Sequence, residues 1–131
     1  MRPSLSFLQE KFDYFNGLCF GGCLPRVRLR VSHARCYMGQ LRYKRRRSLL
    51  LRTRITDLVI SVSDFLDLSE AEVEDTLLHE MIHLHILLSG RRDRSAHGPL
   101  FRAKMRDFNE QFGRHVTVSY RIGSKRCRES A

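Results

Sequence analysis

Leu77-Leu78-His79-Glu80-Met81-Ile82-His83-Leu84-His85-Ile86 decides how the rest of this 131-residue chain is read. Ser69, followed three residues later by Glu72, forms a capping box ahead of it. Leu68 and Val73 supply the hydrophobic staple, and Glu70, Glu72 and Glu74 suit the positive end of a helix dipole. A helix is therefore predicted from Ser69 to about Ser89, closed by Gly90, with Arg91 and Arg92 at its negative end. Leucine and isoleucine surround its polar residues, so much of it is buried.

Within that helix, His79 and His83 are four residues apart and share one face, a spacing suited to two corners of a tetrahedral zinc site. Glu80 stands beside the metal without ligating it, where it can take a proton from water and pass it to a leaving amine. Two solvent-facing histidines and a surface carboxylate would give the same letters. Burying these three groups, however, costs several kcal/mol unless they pair or bind metal. His85 points to the other side of the helix and reads as an ordinary histidine. A catalytic zinc needs a third protein ligand. The pattern HExxHxxGxxH is excluded, because Ile86 and Ser89 occupy its glycine and third-histidine positions. Glu110 and Glu129 are poorly placed. His97, next to Gly98-Pro99 at a helix start, is the better candidate, and His33 and His115 read as structural.

Outward from the helix, Leu5, Leu8, Phe12 and Phe15 predict an amphipathic helix from about Ser4 to Asn16, stopped by Asn16-Gly17. Val27, Leu29 and Val31 alternate with arginines, which makes a strand with one cationic face. A second strand is expected over Tyr37 to Lys44, with Gln40, Arg42 and Lys44 opposite Leu41 and Tyr43. Arg45-Arg46-Arg47 then reads as a turn, Leu49 to Arg54 as the return strand, and Leu58 to Val62 as a fourth strand and sheet edge. Gly98-Pro99 opens a third helix whose Phe101, Met105, Phe108 and Phe112 form an apolar stripe for core packing. His115 to Ile122 is a short strand candidate. The fold class is α+β, three helices on a small mixed or antiparallel sheet. A single domain is expected, with its core at about 4–122 and a basic tail at 123–131.

The net charge is +10, and it is divided along the chain. Tyr14 to Thr56 holds no acid, while Ile55 to Gly90 holds no lysine or arginine and eight acids. One strongly positive surface follows, and it favours nucleic acid or another polyanion. Its candidate contacts are Arg28, Arg30, Arg42, Lys44, Arg45, Arg46, Arg47, Arg52 and Arg54. A solvated basic face is the plainer reading. Cys19, Cys23, Cys36 and Cys127 are too few and too irregular for a disulfide framework. The opening residues carry no signal-peptide core and no apolar run spans a membrane, so a cytoplasmic location is expected, nuclear in a eukaryote.

Several stretches together resemble the SprT-like family: Tyr14-Phe15-Asn16, Leu24-Pro25, Gly39, Ile60-Ser61, Leu77 to His83, and His97-Gly98-Pro99-Leu100-Phe101. The likeness runs from about Phe7 to Phe112. It implies a minimal zincin fold, one zinc ion (Zn2+) on His79, His83 and His97, and Glu80 as catalytic base. The implied activity is metalloprotease cleavage of a protein or peptide substrate. In some members that substrate is protein attached to DNA, single- or double-stranded, which gives the basic strands a purpose. Many members also carry a C-terminal zinc ribbon with paired cysteines, whereas here only Cys127 lies in that region. The rival expectation is a nucleic-acid-binding module whose zinc is structural. Tyr37, Tyr43, Tyr120 and Arg121 are candidates for stabilising an oxyanion.

Overall fold

Ser4 accepts a hydrogen bond from the Phe7 amide and starts helix α1, Leu5–Phe20, which buries Leu8, Phe12, Phe15 and Phe20. These positions belong to a computed structural model that describes residues 1–50 and 53–118. The helix passes through Asn16-Gly17 rather than stopping there. Gly17 faces open space, where glycine costs a helix only about 1 kcal/mol. Burial of Phe20 edge-on to Phe108, at 5.2 Å between ring centres, outweighs that cost. The stop comes at Gly21, whose φ of 60° suits glycine. The Asn16 side chain instead binds the Leu24 backbone twice, donating to its carbonyl and accepting from its amide, both at 3.0 Å.

Three strands follow or intervene: β1, Arg28–Ser32; β2, Gly39–Arg47; and β3, Thr53–Ser63. Their order is β1-β3-β2, with β1 parallel and β2 antiparallel to β3. The sheet is therefore mixed, and the fold α+β. Two expectations need correction. Arg45-Arg46-Arg47 is strand, pairing with Ile55, Arg54 and Thr53, so the turn lies beyond Arg47. The segments read as separate strands around Arg54 and Leu58 are one strand. The cause is a bulge: Arg42 pairs with Val59 but Lys44 with Thr56, so β3 carries one extra residue. Asp57 absorbs it with a φ of 56°, a left-handed conformation that aspartate tolerates better than most residues. The extra residue reverses the inward parity, from Ile55 on one side to Leu58, Ile60 and Val62 on the other, and so hides a continuous strand. The same strand is central rather than an edge, because β1 and β2 flank it.

Helix α2, Glu70–Leu88, begins with the expected capping box, Ser69 Oγ accepting from the Glu72 amide and Glu72 accepting from the Ser69 amide. Every residue from Thr76 to Leu84 is buried, because α2 packs against α1, α3, β2 and β3 at once. Helix α3, Pro99–Phe112, buries Phe101 and Phe108. After it, 113–118 is a strap without regular secondary structure or strand pairing, contrary to the strand expected from His115; the rest of that candidate lies outside the described residues. Asn109 holds the strap as a strand partner would, donating to the Val116 carbonyl at 3.0 Å and accepting from its amide at 2.9 Å. Arg114 ties it to α2 through Asp75 at 2.7 Å and Glu74 at 3.4 Å. Among the described residues no helix is long and apolar enough to cross a membrane.

Candidate metal centre

Helical periodicity puts the His79 and His83 rings on one face of α2, and the loop into α3 brings His97 to them. Their three Nε2 atoms form a triangle with sides of 3.1, 3.1 and 3.2 Å. The remaining ring nitrogen of His79 donates to the Thr117 carbonyl at 2.7 Å, which leaves its Nε2 as a lone pair. Each Nε2 holds either one proton or one lone pair, so three of them cannot satisfy one another in a closed triangle. A cation at the centre satisfies all three. Nitrogens at 2.0–2.1 Å from a tetrahedral ion lie about 3.3 Å apart, close to the spacing seen. The donor set and its size thus fit a metal ion, and these three are the cluster with metal-binding geometry among the described residues. Burial, together with the neighbouring rings, holds His79 and His83 down to about 3. Both are then neutral, the form that binds metal.

Glu80 is 1% exposed, and its Oε2 lies 3.8 Å from His79 Nε2, beside the triangle rather than in it. Gly39, at the start of β2, explains how the carboxylate is held. A Cβ there would meet Thr76 Cγ2 at 2.9 Å, Glu80 Cγ at 3.0 Å and Glu80 Oε2 at 3.2 Å. Only glycine lets the strand come this close.

His97 is placed by residues that spacing does not reveal. Helix α3 has no side chain at its N-cap, Gly98, and the Asp93 carboxylate takes that role by accepting from the Leu100 and Phe101 amides at 3.0 and 3.1 Å. A Cβ on Gly98 would lie 2.7 Å from Asp93 Cγ, so glycine is required here too. Arg102 Nε also donates to the His97 carbonyl at 2.9 Å. Beneath the three rings lies Phe101, fully buried, with its ring centre 4.5–4.8 Å from theirs. It belongs to the stripe assigned to the core, yet it also floors the site. One signal for Asp93 was present in the sequence: it is the lone acid in Arg91-Arg92-Asp93-Arg94.

The other candidates fall elsewhere. His85 packs beside Phe20 at 5.4 Å, His33 pairs with Asp64 at 2.7 Å, and His115 and Glu110 are exposed and outside the cluster. Cys19, Cys23 and Cys36 are free thiols, and burial pushes Cys19 up to about 11. Arg28, Arg30, Arg42 and Lys44 line a hollow of about 330 Å³ on the outer face of the sheet. Arg46 and Arg54 face each other across β2 and β3 and share the parity of Lys44. Arg45 turns instead toward the histidine side, where it lines a cleft with His83, and Arg47 shares its parity. Arg52, Tyr120, Arg121, Cys127 and Glu129 lie outside the described residues, as does the basic tail.

A DNA-dependent metalloprotease, SPRTN, of Homo sapiens is 30% identical over 112 residues, 85% of this chain and 22% of that protein. The Mus musculus protein matches equally. The DNA-dependent metalloprotease dvc-1 of Caenorhabditis elegans is 43% identical over 49 residues, 37% of this chain and 13% of its own length. The chain thus spans about a fifth or less of the curated relatives it matches. The SprT-like family model matches residues 8–121, from the first buried turn of α1 past the strap that anchors His79, and the chain belongs to the SprT-like family.

Proposed function

We propose that the chain is a zinc-dependent endopeptidase that cuts proteins held on DNA. The observation that carries the hydrolytic part is the closed triangle of three Nε2 atoms with Glu80 Oε2 beside it. Three imidazole nitrogens would leave a tetrahedral zinc one open position, the arrangement of a catalytic rather than a structural site. A zinc ion held by His79, His83 and His97 would supply a Lewis acid to polarise the scissile carbonyl and acidify water. Glu80 accepts the proton of the attacking water and returns it to the leaving amine nitrogen. Thr117 orients His79 through its carbonyl, and Phe101 keeps water from beneath the rings.

The substrate strand adds to β2 rather than to Leu58–Val62. Among the described residues β2 has β3 on one side and no strand on the other, and its first residue touches Glu80. An extended peptide pairing there passes beside the carboxylate.

The link to DNA rests on charge and on the likeness to DNA-dependent metalloproteases. Arg28, Arg30, Arg42 and Lys44 surround one hollow. Arg46 and Arg54 stand directly opposite each other, a like-charge pair that destabilises a sheet until an anion covers it. Both features lie on the face away from α2, so nucleic acid and peptide occupy different sides of the sheet.

The test is Glu80→Gln with zinc content measured in parallel. One zinc per chain and a cleavage rate lower by about a hundredfold or more are expected. Unchanged cleavage at full zinc content would remove Glu80 from the mechanism.

A further inference from the structure

A cleft of about 520 Å³ opens between the β2–β3 hairpin and the 89–96 loop, with His83 in its wall. A space of that size and position receives part of whatever is bound at the metal. Its floor is apolar, made by Leu41, Ile55, Ile86 and Leu87. Its rim is cationic, made by Arg45, Arg91, Arg92 and Arg94, all exposed.

The one acid along the cleft, Asp93, does not offset that charge. Its two carboxylate oxygens accept from the first amides of α3, and its single negative charge stands against four arginines. The lining therefore disfavours a lysine or arginine side chain twice, by desolvation at the floor and by repulsion at the rim. A bulky apolar side chain fits the floor, and a carboxylate beside it meets the arginines.

We propose that this cleft is the specificity pocket for the substrate, taking a large apolar residue next to the scissile bond with an acidic residue flanking it. The assignment rests on the peptidase reading above. A peptide fits better than a nucleic-acid strand because the phosphodiester backbone has no use for a floor of four aliphatic side chains contiguous with a metal ligand. The sheet's outer hollow already gathers four cations on the opposite face.

The experiment separates this proposal from the peptidase reading by measuring binding to zinc-loaded Glu80→Gln and cleavage by the wild type. Fluorescein-labelled peptides carry a central leucine flanked by glutamates, the same leucine flanked by lysines, or an alanine between glutamates. The glutamate-flanked leucine peptide is expected to bind about tenfold more tightly than its lysine counterpart and several-fold more tightly than the alanine peptide, with the charge preference weakening as salt is raised. Arg91→Glu with Arg92→Glu, both in an exposed loop, should invert the charge preference at unchanged zinc content. Ile86→Ala should narrow the preference for the leucine over the alanine peptide, which tests the floor without touching the rim. Equal binding of the three peptides overturns the pocket, as does a ten-nucleotide strand that displaces them and loses affinity in the double charge variant. If the binding preference holds while the wild type cleaves nothing, the pocket stands and the peptidase reading falls.

Discussion

Gly39 and Glu80 show how one missing side chain can govern a catalytic group. Gly39→Ala places a methyl group within 3.0 Å of Thr76 Cγ2 on a fully buried turn of α2, so the carboxylate yields instead. Cleavage is expected to fall about tenfold or more while zinc binding is retained, as read from kcat beside metal content. A second expectation concerns pH. His79 and His83 are held down to about 3 when folded, against about 6.5 in the unfolded chain. Below pH 6.5 the unfolded state binds protons that the folded metal-free state refuses. Stability is thus complete above about 6.5 and is lost as pH falls toward 3, with a slope that steepens toward roughly 3 kcal/mol per pH unit for the two rings together. Urea melts of chelator-treated protein between pH 7 and 5 measure this slope, and a flat profile would refute it. At this scale His79, Glu80 and His83 were legible because their relation is local, set by 3.6 residues per turn. The roles of Asp93, Gly39 and Thr117 were not, since each acts through a contact that only folding creates.

Among elements, the strap 113–118 carries more of the site than its lack of regular structure suggests. Two bonds from Asn109 hold Val116, and the next residue presents its carbonyl to His79. Asn109→Ala leaves the Val116 amide and carbonyl without these partners, at a cost of about 1–3 kcal/mol. It is also expected to weaken zinc retention about tenfold, the usual scale for losing a group that orients a ligand. Thermal melts and competition with a zinc chelator read the two effects. If stability fell but zinc affinity did not, the strap would be scaffold alone. Helix α2 was readable end to end because its cap, staple and closing glycine are all local signals. The hairpin was misread because the bulge at Asp57 reverses the alternation by which strands are recognised. Helix α1 outran its apparent stop because tertiary burial of Phe20 outweighed the penalty at Gly17.

For the whole molecule, the sheet sorts charge by parity: Arg42 and Lys44 go outward, and Arg45 goes to the metal side. Replacing Arg28, Arg30 and Arg42 with alanine is expected to weaken DNA binding. It should also lower the slope of log affinity against log salt by up to about 0.9 for each phosphate that the protein no longer neutralises. Cleavage of a free peptide should stay unchanged, because that hollow lies away from the histidines. Fluorescence anisotropy with a duplex and a single strand across a salt series reads the first effect; an unaltered salt slope would move the DNA site elsewhere. The family, the metal-binding helix and the existence of a basic surface were determined by the sequence alone, because each depends on spacing along one helix, on motif identity or on summed charge. Which strand is central, which arginines share a face and what holds His97 and Glu80 were decided only by the tertiary structure. Those relations depend on strand order, on one extra residue in β3, and on contacts such as Asp93 to the start of α3 and Thr117 to His79, which no local pattern encodes.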